Sequence, residues 1–302
     1  MSHTWMPIFG RINAEDDRIT FHGRKAANDE DISENIGLFI CNETFTGGEL
    51  LVEVTFNDIF ERSAAELVLY YDPATKNTVN AGITSNDYFS IRHFANQWTT
   101  HASAGSPGSI EAGRTYNLRV RVNGSLISLF VDGVEVTRTN LPFSTPQSQV
   151  GLFSISESDV EFRNFKIVNQ KPKAFVVMQF SAPYNDVYSE VIKTVCDEEM
   201  IDVLRIDEES GPGLIIADIV KSIIDANVII AEISPSNPNV FYEVGYAHAL
   251  NKPTILIAEK GTKLPFDVSP FRTLFYENTI AGKKRLEEGL RRHILTSLKE
   301  RR

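Results

Sequence analysis

From residue 1 to about residue 168, apolar positions recur at every second residue, the period of strands that lay one face on a core. The clearest run is Tyr116, Leu118, Val120 and Val122, alternating with Asn117, Arg119, Arg121 and Asn123. The pair Asn123-Gly124, tolerant of positive φ, predicts a tight hairpin into a second strand, Leu126 to Val131. Asp132-Gly133 predicts another turn, into Val134 and Val136, and a further strand pair is expected at Val150 to Phe153 and Val160 to Ile167. No long helix is expected in this half. Short strands with turn signals between them and no covering helices predict an antiparallel sandwich or jelly roll.

At Val168-Asn169-Gln170-Lys171-Pro172 the period changes, and this short polar segment with its proline marks a boundary between domains 1–170 and 171–302. Beyond it, continuous apolar runs alternate with helical patterns. Strands are expected at Ala174 to Phe180, Val203 to Ile206, Val228 to Ile233 and Thr254 to Ala258. Helices are expected from about Tyr184 to Glu199, Leu214 to Asp225, Val240 to Asn251 and Lys283 to Lys299. This is the pattern of a parallel sheet covered on both faces.

The length, 302 residues, and a composition 42% hydrophobic and 23% charged allow two separately cored domains. A net charge of −10 argues against a surface that collects phosphate backbones, so no nucleic-acid partner is expected. The one basic cluster, Lys283 to Arg302, is interleaved with Glu287, Glu288 and Glu300 and reads as the solvated face of the last helix. Cys41 and Cys196 are too few for a disulfide framework or a paired thiolate metal site. Met1 to Gly10 lacks the features of a secretion signal, and no stretch is long and apolar enough to cross a bilayer; a cytoplasmic location, without membrane contact, is the expectation.

In an open parallel sheet, ligands sit beyond the carboxyl ends of the strands where the strand order reverses. The segments to search are therefore Gln179 to Asn185, Asp207 to Leu214 and Ser234 to Tyr242. Asn237-Pro238 has the residues of a helix start, an Asn cap followed by a proline that loses no hydrogen bond. On the helix that follows, Val240, Val244, Ala247 and Asn251 form one stripe, and Glu243 lies roughly 60° from Val240. Glu243 is the only charged side chain between Val240 and Leu250. A carboxylate there either faces a cleft or is held by fixed donors, unless it merely favours the helix dipole. Gln179, Phe180 and Ser181 are candidates to line a sugar or base pocket, with Asn239 and Tyr242 near Glu243 along the chain. Arg205 and Asp207 end a strand, where they either meet phosphates and ribose or pair with each other. His248 lies roughly 140° around the helix from Glu243 and is expected to point elsewhere. Gly211-Pro212-Gly213 is too short for a phosphate loop and reads as a turn.

The run Asn-Pro-Asn-Val-Phe-Tyr-Glu-Val-Gly-Tyr-Ala-His-Ala-Leu from Asn237, followed by Lys-Pro-Thr-Ile-Leu-Ile from Lys252, resembles the central motif of prokaryotic TIR-like domains related to nucleoside 2-deoxyribosyltransferases. The resemblance covers about residues 173 to 280, including the Phe-Val-Val-Met-Gln-Phe strand and loop. It implies a flavodoxin-like sheet and a catalytic role for Glu243, the glutamate of the Tyr-Glu-hydrophobic-Gly element. Glu232 departs from the family, which more often has aspartate there. The implied activity is cleavage of the nicotinamide N-glycosidic bond of NAD, a substrate and not a cofactor, in a bacterial defence or signalling effector that acts as a homo-oligomer. A nucleoside deoxyribosyltransferase, a nucleotide N-hydrolase and a non-catalytic adaptor are the alternatives. In the first domain, the residues from Tyr116 to Val134 and the pair at Val150 to Phe153 and Val160 to Ile167 resemble the last strands of concanavalin-like, laminin-G-type sandwiches. That likeness implies an interaction module with a glycan or protein ligand.

Overall fold

The computed structural model describes residues 3–24, 35–143, 145–208 and 215–299. The chain divides into two compact units: Met1–Val122, Leu126–Leu141 and Gln147–Gln170 form one, and Lys171–Arg302 with Asn123–Ser125 and Pro142–Pro146 the other.

The first unit is built of antiparallel strands. In chain order they are β1 (Trp5–Phe9), β2 (Ile12–Glu15), β3 (Arg18–His22), β4 (Ile36–Phe45), β5 (Gly48–Phe56), β6 (Ala64–Tyr71) and β7 (Thr78–Thr84). There follow β8 (Tyr88–Ala95), β9 (Gln97–Ala104), β10 (Thr115–Asn123), β11 (Leu126–Val131), β12 (Val134–Asn140), β13 (Ser148–Ile155) and β14 (Asp159–Asn169). One sheet runs β1-β4-β13-β6-β7-β8-β9 and the other β12-β11-β10-β5-β14-β3-β2. The alternation read from Tyr116 onward is real: Tyr116, Leu118, Val120 and Val122 are all buried, in register with β5 through pairs such as Leu118↔Val52. The first hairpin loop is one residue later than expected. Positive φ falls on Gly124 at 57° and not on Asn123, which ends the strand. At the second, Asp132 and Gly133 both take positive φ, 49° and 85°, which matches the right-handed strand twist. No α-helix is found in this unit among the described residues.

An ion pair is buried in the first sheet. Glu66 is 0% exposed and receives both Nε and Nη2 of Arg92 at 2.7 Å and Nδ2 of Asn80 at 3.2 Å. The Arg92 guanidinium lies 3.9 Å from the Trp98 ring centroid, so its charge is shared between a carboxylate and an aromatic face.

The second unit holds a parallel sheet of β15 (Lys173–Val177), β16 (Asp202–Arg205), β17 (Val228–Glu232), β18 (Thr254–Glu259) and β19 (Thr273–Tyr276). Their spatial order is β16-β15-β17-β18-β19. The helices are α1 (Tyr184–Val187), continued by a π-helical turn Tyr188–Ile192 into α2 (Lys193–Glu198), then α3 (Ile215–Asp225), α4 (Pro238–Ala249) and α5 (Ile280–Lys299). Side-chain alternation along the strands feeds two cores. Val176, Ile230 and Ile257 meet Val191, Val195, Leu290 and Ile294 on one face, while Phe175, Ile229 and Leu256 meet Ile219, Ile223, Val240 and Val244 on the other.

The first strand ends at Val177, three residues before the expected Phe180, so Gln179 and Phe180 belong to the loop at its carboxyl end. β19 was not foreseen; its four residues, Thr-Leu-Phe-Tyr, are too short a run to rise above the surrounding loop. The expected turn at Gly211-Pro212-Gly213 and the expected helix start at Leu214 lie outside the described residues. Among the described residues no helix is long and apolar enough to cross a membrane.

Candidate active site

The order of the parallel strands reverses between β15 and β17, because β16 lies on one side of β15 while the later strands lie on the other. At that point the connections diverge to opposite faces and leave a crevice at the carboxyl ends. A cleft of about 410 Å³ opens there, within the size range of small-molecule sites. Its polar wall is Gln179, Asn237, Asn239, Tyr242 and Glu243, with Phe180 beside them. Met178, Ile206, Ile216, Ile219 and Val240 supply an apolar wall.

The start of α4 sets this geometry. Asn237 is extended, at φ −104° and ψ 115°, and its Oδ1 accepts from the backbone N–H of Asn239 at 3.0 Å, with Pro238 in the first turn. The same side chain turns its Nδ2 toward Gln179 Oε1 at 3.5 Å, and Gln179 Nε2 donates to Ser181 Oγ at 2.9 Å. The cap thus links the loop after β15 to the helix after β17. Val240, Val244 and Ala247 bury the stripe expected of them, which leaves Glu243 on the flank toward the cleft.

Glu243 is half-buried, and no described residue bonds to its carboxylate or carries a charge that compensates it. Burial alone pushes its pKa up to about 7. Among the described residues, no Lys or Arg lines the cleft. Among the described residues, the cleft holds a single, poorly solvated acid between its polar and apolar walls.

Of the residues singled out in the sequence, Gln179, Phe180, Asn239, Tyr242 and Glu243 meet in the cleft. Phe180 and Tyr242 are 45% and 59% exposed, so both rings stand at the rim. Ser181, Arg205 and Asp207 do not line it. Ser181 sits behind Gln179 as its hydrogen-bond acceptor. Arg205 and Asp207 are closed on each other, with Nε–Oδ1 at 2.6 Å and Nη2–Oδ2 at 2.7 Å, the strand-end ion pair that was one of their two expected readings. Arg205 also donates to Asn185 Oδ1 at 3.0 Å and lies over Tyr188, 4.2 Å from its centroid, and 5.3 Å from that of Phe180. It braces the Phe180 loop. His248 stacks on Phe271 at 4.3 Å, away from Glu243 as its helical angle requires.

Sequence reasoning took Asn237 as a cap and missed it as a cleft residue, and it missed Ile206, Ile216 and Ile219. The spacing of Ile216 and Ile219, one helical turn apart, was the available signal for a face directed at the site. Among the described residues, no group of three or more His, Cys, Asp or Glu is arranged to hold a metal ion.

No protein-family model matches the chain, and no curated protein matches it. Solved structures similar to it include a carbohydrate binding module, CBM66, from Bacillus subtilis, at TM-score 0.45 and 16% identity over 53% of this chain and 92% of that one. A Bacillus subtilis protein of unknown function with a galectin-like fold has TM-score 0.39 and 13% identity over 53% and 87%. A prokaryotic β-1,3-1,4-glucanase (lichenase) derived from a mouse hindgut metagenome has TM-score 0.39 and 9% identity over 55% and 97%. Likeness at this level assigns no activity or ligand to the chain.

Proposed function

We propose that residues 171–302 are a TIR-like domain on a flavodoxin-like sheet, and that the domain cleaves the nicotinamide N-glycosidic bond of NAD as a glycohydrolase or cyclase. The observation that carries this reading is the half-buried Glu243 carboxylate, the one acid among the described residues of a cleft whose described lining holds no cation. An uncompensated anion in poor solvent favours a ligand that brings or develops positive charge. NAD does both. Its pyridinium is cationic in the ground state, and the charge passes to the ribose anomeric carbon and ring oxygen as the bond to the ring lengthens.

In this reaction nicotinamide leaves as a neutral base and takes the bonding electron pair with it, so no general acid is required. The carboxylate stabilises the resulting sugar cation or traps it as an ester, and water then adds at the anomeric carbon, releasing a proton and ADP-ribose. Cyclisation replaces that water by a nucleophile within the same substrate. Phe180 and Tyr242 stand where aromatic faces can cover a planar ring, and Gln179 and Asn239 can hydrogen-bond ribose hydroxyls.

A deoxyribosyltransferase or nucleotide N-hydrolase acting on ordinary nucleosides is the second reading. Neutral nucleosides expel an anionic base unless it is protonated, and Glu243 is the only acid among the described cleft residues. The lining therefore favours NAD. The non-catalytic adaptor is the third reading. The first unit, a concanavalin-like jelly roll in this reading, would sense a glycan or protein ligand or assemble copies into a homo-oligomer. Sandwiches serve many unrelated functions.

The test is to incubate the full chain with NAD, and separately with deoxynucleosides, and to chromatograph the products. Free nicotinamide is expected from NAD and is expected to fall by ~10²-fold or more in Glu243→Gln, which keeps the shape and removes the charge. Free base from deoxynucleosides alone would support the second reading, and no product from either substrate the adaptor.

A further inference from the structure

Glu232, the second carboxylate at the switch point, is 0% exposed and does not line the cleft. Strand alternation explains why. Ala231 and Ile233 share a core with Val240 and Val244 of α4, whereas Glu232 points to the opposite face, where Ile230 and Tyr276 lie.

There a single oxygen does all the bonding. Oε1 accepts from the Ser234 backbone N–H at 3.1 Å, from the Ser234 hydroxyl, and from the Tyr276 hydroxyl at 3.1 Å. Ser234 Oγ in turn accepts from the backbone N–H of Glu259 at 2.6 Å. The ends of β17, β18 and β19 are thus tied to Ser234, in the loop that leads to Asn237. Oε2 is buried and has no hydrogen-bond partner. A carboxylate recruited for its charge would engage donors through both oxygens. This one is used as a single-oxygen acceptor of long reach.

We infer that Glu232 is a positioning residue, neither acid nor sugar ligand, whose length holds the Ser234–Asn237 loop and thereby sets where α4 starts and where Glu243 stands. The inference rests on the proposed cleavage by Glu243 for its functional meaning. One methylene fewer would withdraw the acceptor by ~1.5 Å, out of bonding range of Tyr276 and Ser234.

The two conservative variants separate the roles because they rank in opposite orders. Glu232→Gln keeps the length and the accepting oxygen, and places its NH₂ where nothing now donates. Glu232→Asp keeps the charge and loses the reach. The experiment measures amide hydrogen exchange at Ser234, Glu259 and Asn239 in the full chain, together with kcat, KM and the pH profile of NAD cleavage. In Glu232→Gln, exchange and kcat are expected within ~3-fold of the parent, with the pH profile unmoved. In Glu232→Asp, exchange at those amides is expected to quicken by ~10-fold or more, with kcat down by a similar factor and KM within ~2-fold. Should Glu232→Asp not fold, Tyr276→Phe removes one donor at constant shape and is expected to quicken exchange at Ser234 by ~3-fold or more.

A Gln variant that loses as much as the Asp variant, or an Asp variant with parental exchange, would overturn the inference. So would a Tyr276→Phe variant that exchanges as slowly as the parent. An inactive parent with the Gln-over-Asp order of exchange intact would sink the cleavage reading and leave the loop anchor standing.

Discussion

Glu243 carries its cost in its titration. Burial raises its carboxyl from 4.5 to about 7, so between those values the folded chain keeps a proton that the unfolded chain has released. Stability therefore falls as pH rises through this window and levels off above about pH 7. Glu243→Gln removes the effect. It is expected to match the parent near pH 4 and to exceed it above pH 7, by on the order of 1 to 2 kcal/mol once solvent screening of a half-buried group is allowed for. Urea denaturation at the two pH values reads this, and equal stabilities at both would mean that the carboxylate is solvated. Glu66 poses the opposite case, a buried carboxylate fully engaged by Arg92 and Asn80. Arg92→Ala strands that charge and is expected to lower stability by about 3 to 5 kcal/mol, whereas a loss under about 1 kcal/mol would place Glu66 in contact with water.

At the scale of elements, the start of α4 is where local rules and the site coincide. Asn237→Ala removes the cap on the Asn239 amide and the tether to Gln179 and is expected to cost about 1 kcal/mol, measured by chemical denaturation. Asn237→Ser keeps a capping oxygen and is expected to recover most of the loss. This start was legible in the sequence because capping is a local rule, and so were the buried stripe of Val240, Val244 and Ala247 and the flank holding Glu243. The hairpins at Gly124 and at Asp132-Gly133 were legible for the same reason, to within one residue. What the sequence hid is non-local. Nothing in the spacing of Arg205 and Asp207 distinguishes an ion pair from two ligands; the choice depends on Tyr188, Asn185 and Phe180 crowding the guanidinium from other elements. Tyr276 could not be matched to Glu232, because the strand that carries it was itself too short to see.

Across the whole chain, each unit owns a core, so the two are expected to melt in separate calorimetric transitions. Val244→Ala, deep in the α/β core, is expected to lower one transition by an amount on the order of 2 kcal/mol and to leave the other in place. A single transition shifted as a block would instead mean that the units unfold together. The proposed division of labour, sensing or assembly in the sandwich and cleavage in the α/β unit, depends on the chemistry of one side chain. The most direct measurement is the rate of nicotinamide release from NAD as a function of pH, for the parent and for Glu243→Gln. The expected result is a parental rate that climbs through about pH 7 to a plateau as the carboxylate ionises, with the variant ~10²-fold or more below that plateau and flat. A variant that releases nicotinamide as fast as the parent across the whole range would contradict it.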